Sequence, residues 1–548
     1  LVQLQVTDAA AYAASALDQR LREEIVPGER GAILDRNGEL LAFSAAARYV
    51  YVDPEQVEDV DAAAALLTPL LGVPESQLVD TMQPRTLENG DKSRFEYLKR
   101  GVDVSVADTI SDLEIPGVHV AYDERREVPG HDLAANVIGF TGLEGDGLDG
   151  IEGYYDDILQ GDDGERLYEV SPQGQEIPGG FHREEPAQTG DDLRLTIDSD
   201  LQYQVQGILS DMMAEQDAEF AAAVVMETAT GEVVSMASTP TYDAADPLEY
   251  DDELRRDWAS GAVLEPGSVH KAIVVSAAIE EGVISPDSTP VVPPTIQKAE
   301  QVYQDSHTHA EQPMSIGGIL AHSSNVGAIQ LADEIGADKL YEYQELFGLG
   351  ATTDVGVAGE AEGIVRPPDT WSGTDYGSIP IGLGVAVTPM QMAAAYNTIA
   401  NDGLYVSPSI VQCRVSDDGT KTDMTGVDTR RVLSEDVAKD MQRLLQAPVT
   451  VDDGTGTAAA LPGYLVAGKT GTGKLVRDGQ YADGEVAGFA GFAPADDPKY
   501  TVAVFAYTPE GGGGTVTGTA FRDIMQSTLG NYRVPPSSEP PAEFVVFP

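Results

Sequence analysis

The stretch that decides the fold is LEPGSVHK at residues 264–271, which runs directly into the apolar segment AIVVSAAI at residues 272–279. The Pro-Gly pair interrupts the preceding structure, and the following residues read as a helix up to a stop at Gly282. Because this helix is apolar on nearly every face, we expect it to be buried. It carries Ser268 and Lys271, which share one helix face because they are three residues apart.

Ser268 and Lys271 have the chemistry of a nucleophile and its general base. A neutral lysine beside a serine can remove the hydroxyl proton. Burial favours that neutral state, because desolvation of the ammonium form lowers the lysine pKa. The helix N-terminus adds a positive field where an oxyanion would form. A Ser-x-x-Lys motif alone occurs by chance in many chains, so it predicts a function only when further motifs accompany it.

Two further motifs follow in an order that suits serine acyl transfer. SSN at residues 323–325 opens an apolar helical run, 55 residues after Ser268. KTGT at residues 469–472 ends a short apolar stretch that reads as a strand, in which successive side chains alternate between faces. Three weak motifs in the right order make one strong signal for a serine enzyme.

Composition limits the remaining possibilities. A chain of 548 residues is too long for one core, so at least two domains are expected. Lys and Arg number 33 against 91 Asp and Glu, and the net charge of −58 excludes nucleic-acid backbone as the natural partner. The single cysteine, Cys413, cannot form an internal disulfide. His307 and His309 lack an evident third ligand, so we interpret them as an exposed loop pair and not a metal site.

The first part of the chain carries no catalytic signal. Residues 9–24 read as a helix with an alanine-rich face, and residues 30–42 read as a hairpin around an Asn-Gly turn. Paired arginines at Arg125 and Arg126 are expected to form salt bridges between segments of this acidic chain. Residues 161–190 are rich in Gly, Pro and charge, which indicates a boundary near residue 190.

The second part predicts a sheet with helices around it. Residues 193–197 read as a strand and residues 198–216 as a helix. Residues 222–226 and 232–236 read as a hairpin, and strands recur at 487–493 and 500–507, with helices such as 389–400 between them. Strands at both ends of a helical middle imply that the returning chain completes the sheet, so the predicted fold class is α+β.

The motifs together resemble those of a class B penicillin-binding protein. The resemblance also rests on RG at 30–31, Asp-Arg-x-Gly at 35–38, GIEG at 150–153 and GLGVAVTP at 382–389, and it covers nearly the whole chain. Within the class, LVQLQ at 1–5, PPDTWSG at 367–373 and VPP at 534–536 are similar to the actinobacterial cell-division branch.

This resemblance implies a domain organisation and an activity. An elongated non-catalytic pedestal, residues 1–190, would precede a transpeptidase domain, residues 191–533. That domain would be related to serine β-lactamases and hold an antiparallel sheet flanked by helices, and a Pro-rich tail would occupy 534–548. The activity would be that of a serine-type peptidoglycan D,D-transpeptidase, which cross-links stem peptides through an acyl-serine intermediate during septal wall synthesis. β-Lactams would acylate and inhibit it, and it would need no cofactor or metal.

The resemblance also implies roles for the catalytic residues. Ser268 would attack the D-Ala–D-Ala peptide and Lys271 would take the serine proton. Ser323 and Lys469 would relay a proton to the leaving amine. Asn325 would hold the substrate amide.

The remaining implied roles concern binding. Thr470 and Thr472 would bind the substrate carboxylate, with Gly471 between them in the same strand. Backbone N–H groups of Ser268 and Thr472 would form the oxyanion hole. One departure is that Val269-His270 stands between the serine and the lysine, where many relatives have Thr-Phe or Val-Met.

Location and partners follow from the same resemblance. Such proteins have one transmembrane helix, which would precede Leu1 and place the catalytic domain on the outer side of the cytoplasmic membrane at the septum. Peptidoglycan stem peptides and β-lactam antibiotics would bind the site. A polytopic lipid-II polymerase and other division proteins would be protein partners.

Three alternatives remain open at the level of sequence. A class A β-lactamase shares the three motifs but needs a Glu-x-x-x-Asn deacylating element, and no asparagine here has a glutamate four residues before it. A β-lactam-sensing receptor would also be acylated, although the long pedestal argues against it. A catalytically idle division scaffold is disfavoured by the intact motifs.

Overall fold

The computed structural model describes residues 20–87, 89–171, 176–425, 428–477, 480–509 and 513–548. Strands and helices alternate in its N-terminal part. The strands are β1 (Leu21–Val26), β2 (Ile33–Leu34), β3 (Leu40–Val52), β4 (Glu96–Val102), β5 (Val118–Glu127), β6 (Gly164–Glu169) and β7 (His182–Glu185). The helices are α1 (Val60–Leu71), α2 (Glu75–Met82), α3 (Val104–Asp112), α4 (Ala135–Ile138), α5 (Gly150–Tyr154) and α6 (Asp156–Leu159).

Strand β3 organises the first part of the chain. It pairs antiparallel with β2, β4 and β5, and α1, α2 and α3 cover one face of the three longer strands. Val50 and Val52 point into that helix-covered core, whereas Tyr49 and Tyr51 belong to a cluster of rings on the other face. This alternation is the expected period of two for a strand with one buried face.

A buried ion network ties the two predicted arginine motifs together. Arg30 Nε and Arg126 Nε each lie 2.7 Å from a carboxylate oxygen of Glu152, whose side chain is 1% exposed. Arg125 pairs with Asp103 at 3.1 Å. The predicted salt bridges between segments are therefore confirmed, and the Glu of the GIEG motif is the shared acceptor.

The predicted helix over residues 9–24 is wrong where the structure describes it. Residues 1–19 lie outside the described residues, whereas residues 21–26 form strand β1, which pairs antiparallel with β6. β6 in turn pairs with β7. Pairing between distant segments outweighs the helix propensity of this Glu- and Arg-rich stretch, because propensity is a weak local preference.

The C-terminal part contains the remaining elements. The strands are β8 (Asp192–Leu195), β9 (Phe220–Glu227), β10 (Val233–Thr239), β11 (Val291–Val292), β12 (Thr295–Lys298), β13 (Gln301–Gln304), β14 (Gln312–Pro313), β15 (Leu404–Val406), β16 (Val411–Val415), β17 (Lys421–Asp423), β18 (Thr429–Arg431), β19 (Ala467–Gly473), β20 (Val476–Arg477), β21 (Gln480–Tyr481), β22 (Glu485–Ala493) and β23 (Tyr500–Thr508). The helices are α7 (Ser199–Gln216), α8 (Asp252–Arg255), α9 (Trp258–Gly261), α10 (Lys271–Glu280), α11 (Ile316–Ala321), α12 (Asn325–Ile335), α13 (Ala337–Leu346), α14 (Asp375–Ser378), α15 (Pro389–Ala400), α16 (Glu435–Leu444), α17 (Ala447–Thr450) and α18 (Gly513–Asn531).

A five-stranded antiparallel sheet in the order β10-β9-β23-β22-β19 forms the centre of this part. Alternate residues of its strands enter two different cores: Val224 and Phe505 pack with α10 and α15, whereas Val225 and Val504 pack with α7 and α18. Because both faces are covered by helices, the strands read as continuous apolar runs. The predicted hairpin, late strands and returning topology, and with them the α+β class, are confirmed.

A second sheet joins the two parts of the chain. β2 pairs in parallel with β8, and β8 pairs antiparallel with β16, so strands from both sides of residue 190 lie in one sheet. Arg36 reinforces the junction, because its guanidinium donates to Tyr532 Oη at 2.8 Å and to Glu232 Oε2 at 3.3 Å. The sequence predicted the strand at residues 193–197 but not its partners.

Residues 534–548, predicted to be a Pro-rich tail, pack back onto the elements that precede them. Tyr464 Oη donates to the Val534 carbonyl at 2.7 Å. Phe544 packs against the apolar core, and the Val546 carbonyl accepts from Ser315 N–H at 3.0 Å. The tail therefore ends against α11, the helix that leads into the SSN motif. No helix in the described residues has the length and apolar character needed to cross a membrane.

Candidate active site

Ser268 lies in a tight turn that precedes α10. Residues 267–270 form one turn of 3₁₀ helix, and the α-helix begins only at Lys271, slightly later than the sequence predicted. Gly267 has a φ of +57°, and a Cβ there would overlap the carbonyl oxygen of Thr472. The Ser268 N–H is one of the first backbone N–H groups of this turn, and such groups have no acceptor within the helix. It is therefore free to bind a ligand oxygen.

The KTGT motif lies on a strand, as predicted, and this strand, β19, is an edge of the central sheet. Its Gly471 faces the Ser268 turn: a Cβ at this position would overlap the Pro266 carbonyl and come within 2.5 Å of Val269 Cγ2. A side chain larger than hydrogen would therefore separate the two motifs. Gly267 and Gly471 together allow the turn to pack backbone to backbone against the strand.

The SSN motif is the junction between α11 and α12. Ser323 closes α11 with a φ of +56°, a left-handed conformation that is uncommon outside glycine. Ser324 caps α12, because its Oγ accepts from Gly327 N–H at 2.9 Å. The helix therefore begins at Asn325 and not at Ser323 as the sequence suggested. A strained residue persists only where its surroundings hold it, and such residues concentrate at functional sites.

These three motifs surround one cleft of about 560 Å³. Six of the eight residues that the sequence assigned to the site line this cleft, and the remaining two are lysines that lie beneath it with no exposed surface. The lining residues are Ser268, Ser323, Asn325, Thr470, Gly471 and Thr472. A substrate in the cleft would meet hydroxyls, amides and backbone groups, with both amines behind them.

Lys271 is held by the SSN motif. Its Nζ donates to the Ser323 carbonyl at 2.6 Å and to Asn325 Oδ1 at 2.7 Å, with Ser323 Oγ at 3.2 Å. A neutral amine has two N–H donors, which these two short bonds use, and one lone pair. The lone pair is then left for a hydroxyl such as that of Ser323 or Ser268. The predicted contact from Lys271 to Ser268 is not formed directly here, and hydrogen bonds of this kind often tighten only when substrate binds.

Burial sets the charge of both lysines. Desolvation lowers the pKa of Lys271 to about 7, so a large fraction of the amine is neutral near neutral pH. The pKa of Lys469 is also lowered, chiefly by burial and further by repulsion from Lys271. Lys469 Nζ donates to the Thr470 carbonyl at 3.0 Å and contacts Thr455 Oγ1 at 3.4 Å. A second amine therefore lies near Lys271, as predicted, but burial disfavours its charged form as well.

His270, the other titratable neighbour of the nucleophile, points into the core. It has no exposed surface, and its Nε2 lies 2.9 Å from Gln344 Nε2. Burial lowers its pKa to about 4, so it is neutral at physiological pH. Its hydrogen-bond partner lies on α13, away from the cleft, so His270 is not placed to deprotonate Ser268.

Two further residues of the site, Thr455 and Asp305, could not be predicted from the sequence. Thr455 lines the cleft and accepts from Thr470 Oγ1 at 2.9 Å. Asp305 follows hairpin β12–β13 and binds the SSN junction, with Ser324 Oγ at 2.7 Å. No motif marks either position, because each is defined by what it packs against. The prediction that His307 and His309 are both exposed is wrong for one of them. His307 is exposed, but the His309 side chain is only 9% exposed and pairs with Asp305 at 3.0 Å.

Comparison with known proteins agrees with this geometry. Residues 221–526 match the family model of the penicillin binding protein transpeptidase domain, and residues 25–195 match that of the penicillin-binding protein dimerisation domain. The chain belongs to the class B penicillin-binding proteins. The resemblance inferred from its motifs is therefore confirmed, as is the fold class that it implied.

Relatives of this penicillin-binding protein are similar over almost their whole length. It is 34% identical to penicillin-binding protein PbpB of Mycolicibacterium smegmatis, covering 98% of this chain and 88% of that protein. It is 32% identical to peptidoglycan D,D-transpeptidase FtsI of Escherichia coli, over 94% and 86% of the two chains. The crystal structure of penicillin-binding protein 3 from Mycobacterium tuberculosis in complex with aztreonam superposes with a TM-score of 0.74 at 30% identity, over 96% of this chain and all of that one.

Proposed function

We propose that this protein is a peptidoglycan D,D-transpeptidase that acts in septal wall synthesis and is acylated by β-lactams. The observation that carries the proposal is Lys271, fully buried beneath the cleft that Ser268 lines and hydrogen-bonded to the SSN motif. The names of the relatives PbpB and FtsI, and the aztreonam complex of a third, support the same activity.

Acylation begins at Ser268. Its Oγ attacks the carbonyl carbon of the penultimate D-Ala in a stem peptide, while its proton passes to the lone pair of Lys271. The oxyanion that forms is held by the N–H groups of Ser268 and Thr472. Removing one such donor from an oxyanion hole typically costs about 3–4 kcal/mol.

Collapse of the tetrahedral intermediate breaks the peptide C–N bond. The terminal D-Ala leaves as an amine after it takes a proton from Lys271 through the Ser323 hydroxyl, with Lys469 alongside. An amine of a second stem peptide then attacks the acyl-serine carbonyl and loses a proton to Lys271. The new peptide bond forms as the C–O bond breaks, and Ser268 regains its hydroxyl proton.

Substrate orientation uses the remaining residues of the cleft. Thr470 and Thr472 bind the terminal carboxylate, and Asn325 holds a backbone amide of the stem peptide. Gly471 keeps the strand close enough to the Ser268 turn for these contacts to act on one substrate. A β-lactam carries a carboxylate and a strained amide at comparable positions, so the same residues receive it.

Domain boundaries and location complete the proposal. Residues 1–190 are a non-catalytic pedestal, residues 191–533 the transpeptidase domain and residues 534–548 a tail. A single membrane helix N-terminal to this chain holds the catalytic domain on the extracytoplasmic side at the division septum. A polytopic lipid-II polymerase and other division proteins contact the pedestal. The two family matches, over 25–195 and 221–526, support this division of roles.

A fluorescent penicillin separates this function from that of a β-lactamase and from that of an idle scaffold. The protein is labelled, unbound reagent is removed, and the fluorescence that remains on the protein is followed for hours, with Ser268→Ala as the control that cannot be acylated. A transpeptidase gives a long-lived adduct on the wild-type protein alone. Rapid loss of label would indicate a β-lactamase, and absence of label on a folded protein would indicate a scaffold.

A further inference from the structure

Asp305 occupies a position that the catalytic roles above leave unassigned. It follows hairpin β12–β13 directly, and its side chain is 6% exposed. Its Oδ1 accepts from Val326 N–H at 2.9 Å, and its Oδ2 accepts from Ser324 Oγ at 2.7 Å and contacts His309 Nε2 at 3.0 Å. One buried carboxylate therefore binds the first turn of α12 and the middle residue of the SSN motif.

Gln304, the residue before Asp305, provides a further contact with the SSN motif. The Gln304 carbonyl accepts from Asn325 Nδ2 at 3.0 Å, which leaves Asn325 Oδ1 facing Lys271 Nζ. Ser323 is thus held in its left-handed conformation between two sets of contacts. Lys271 binds the motif from the core side, and the end of the hairpin binds it from the solvent side.

The charge of Asp305 also acts on the amine of Lys271. Among the described residues, the titratable groups that interact electrostatically with Lys271 are the Asp305 carboxylate and, from β19, the Lys469 amine. Asp305 opposes the effect of burial on Lys271 by favouring its ammonium form, whereas the two lysines repel each other. His309 faces Asp305 from the far side. Its own burial lowers the His309 pKa, but hydrogen bonds to the Ala310 carbonyl and Asp305 outweigh this and raise it overall.

We propose that Asp305 is a positioning residue for acylation, which holds the SSN junction against Lys271 and supplies the negative charge that this amine faces. The inference rests on the proposed transpeptidase function and extends it to a residue outside the three motifs. It makes hairpin β12–β13 part of the catalytic apparatus. A purely structural role would affect the rate of acylation, whereas a charge facing the base also affects the pH at which acylation begins.

Substitution of Asp305 by Asn tests the inference, because the amide keeps the shape and removes the charge. The acylation rate is measured with a chromogenic β-lactam between about pH 5 and 9 in full-length protein. We expect a maximal rate lowered several-fold and a midpoint of the acidic limb displaced by roughly 0.5–1 pH unit to lower pH, because Lys271 loses its proton more easily. Ser324→Ala is the matched control. It removes the Ser324 Oγ bond to Asp305 and the cap of α12 but keeps the charge, so it lowers the rate without displacing the midpoint.

His309→Gln should displace the midpoint in the opposite direction. It removes the group that partly neutralises Asp305, so the midpoint should move to higher pH. Equal midpoints in wild type, Asp305→Asn and His309→Gln would overturn the inference. If Asp305→Asn fails to fold, as judged by its melting temperature, the direction of the His309→Gln shift decides alone. Failure of the proposed function is distinct, because the wild-type protein would then not be acylated at any pH.

Discussion

At the scale of residues, the chemistry depends on the hydrogen bonds and the burial of one amine, that of Lys271. Lys271 finds two strong acceptors in the Ser323 carbonyl and Asn325 Oδ1, and burial removes much of the cost of losing its proton. The hydrogen bonds and the burial have different consequences. The hydrogen bonds orient the amine, and the desolvation makes its lone pair available near neutral pH.

Substitutions of Lys271 and His270 show which of these two neighbours of Ser268 is the general base. We expect Lys271→Ala to slow acylation by β-lactam at least about 10²-fold, the lower range for loss of a general base. His270→Phe should leave the rate within a few-fold, because His270 faces Gln344 in the core. It should lower the melting temperature, since a buried amide loses its partner. Rates come from stopped-flow or gel-based acylation of folded protein. Loss of acylation in His270→Phe with a mild effect in Lys271→Ala would contradict the assignment.

The pH dependence of acylation follows from the same lysine. Below its pKa of about 7, Lys271 is mostly ammonium and has no lone pair, so the acylation rate should rise with pH through a midpoint near 7. If His270 were the base, the midpoint would instead lie near 4, the pKa to which burial lowers this imidazole. Second-order rate constants with a chromogenic β-lactam, corrected for its spontaneous hydrolysis, measure the midpoint. A rate that is flat or falls between about pH 6 and 8 would count against Lys271.

The residues that line or underlie the cleft could be predicted from the sequence, but the residues that support them could not. Ser268, Lys271 and Lys469 could be predicted because they belong to short motifs whose residue types carry the chemistry. Asp305 and Thr455 could not, because each acts through contacts between segments that are distant in the chain. Only the folded structure specifies which carboxylate or hydroxyl lies beside a motif.

At the scale of elements, two junctions and one edge strand position the site. A 3₁₀ turn leads into α10, a left-handed residue separates α11 from α12, and the edge strand β19 carries KTGT. The helices that adjoin the two junctions are largely buried, and β19 is paired with β22. Regular elements therefore hold in place the residues that line the cleft.

Gly471→Ala tests the packing of β19 against the Ser268 turn. The added methyl would overlap the Pro266 carbonyl, so the strand or the turn must shift, and we expect acylation to fall at least about tenfold, because displacements near 1 Å at reacting groups cost up to 10²-fold. Gly530→Ala in α18 is the matched control, since a Cβ there meets nothing within 4 Å. It should leave the rate unchanged and raise stability by up to about 1 kcal/mol. Equal rates in the two variants would show that the close approach is not required.

Most elements of the catalytic domain could be predicted from their periodicity. The helix at 199–216 and the hairpin of β9 and β10 match the expected ranges, because long amphipathic or apolar segments carry a strong pattern. The exact starts of α10 and α12 were missed by up to three residues, since turn geometry at Ser268 and Ser323 decides them. Strand β1 was missed because its partner β6 lies far along the chain.

At the scale of the whole molecule, the dominant property is charge. A net charge of −58 on 548 residues makes the surface repel itself, and many of the basic side chains are already engaged in ion pairs such as Arg30–Glu152 and Arg100–Asp123. Repulsion between exposed carboxylates destabilises the compact state, and dissolved ions screen it.

We therefore expect the melting temperature to rise with moderate NaCl. The gain should be largest between about 0.01 and 0.15 M, where the Debye length falls from roughly 30 to 8 Å. Differential scanning fluorimetry at fixed pH measures it, with KCl as a second salt that should give the same curve. A flat or falling melting temperature would show that self-repulsion does not limit stability.

The proposed mechanism requires that Ser268 is the acylated residue. The protein is incubated with a β-lactam, digested, and its peptides are mapped by mass spectrometry. We predict one added acyl group on the peptide that contains Ser268, with no modification of Ser323 or Lys271 and none at all in Ser268→Ala. An adduct on another residue, or an adduct that persists in folded Ser268→Ala, would contradict it.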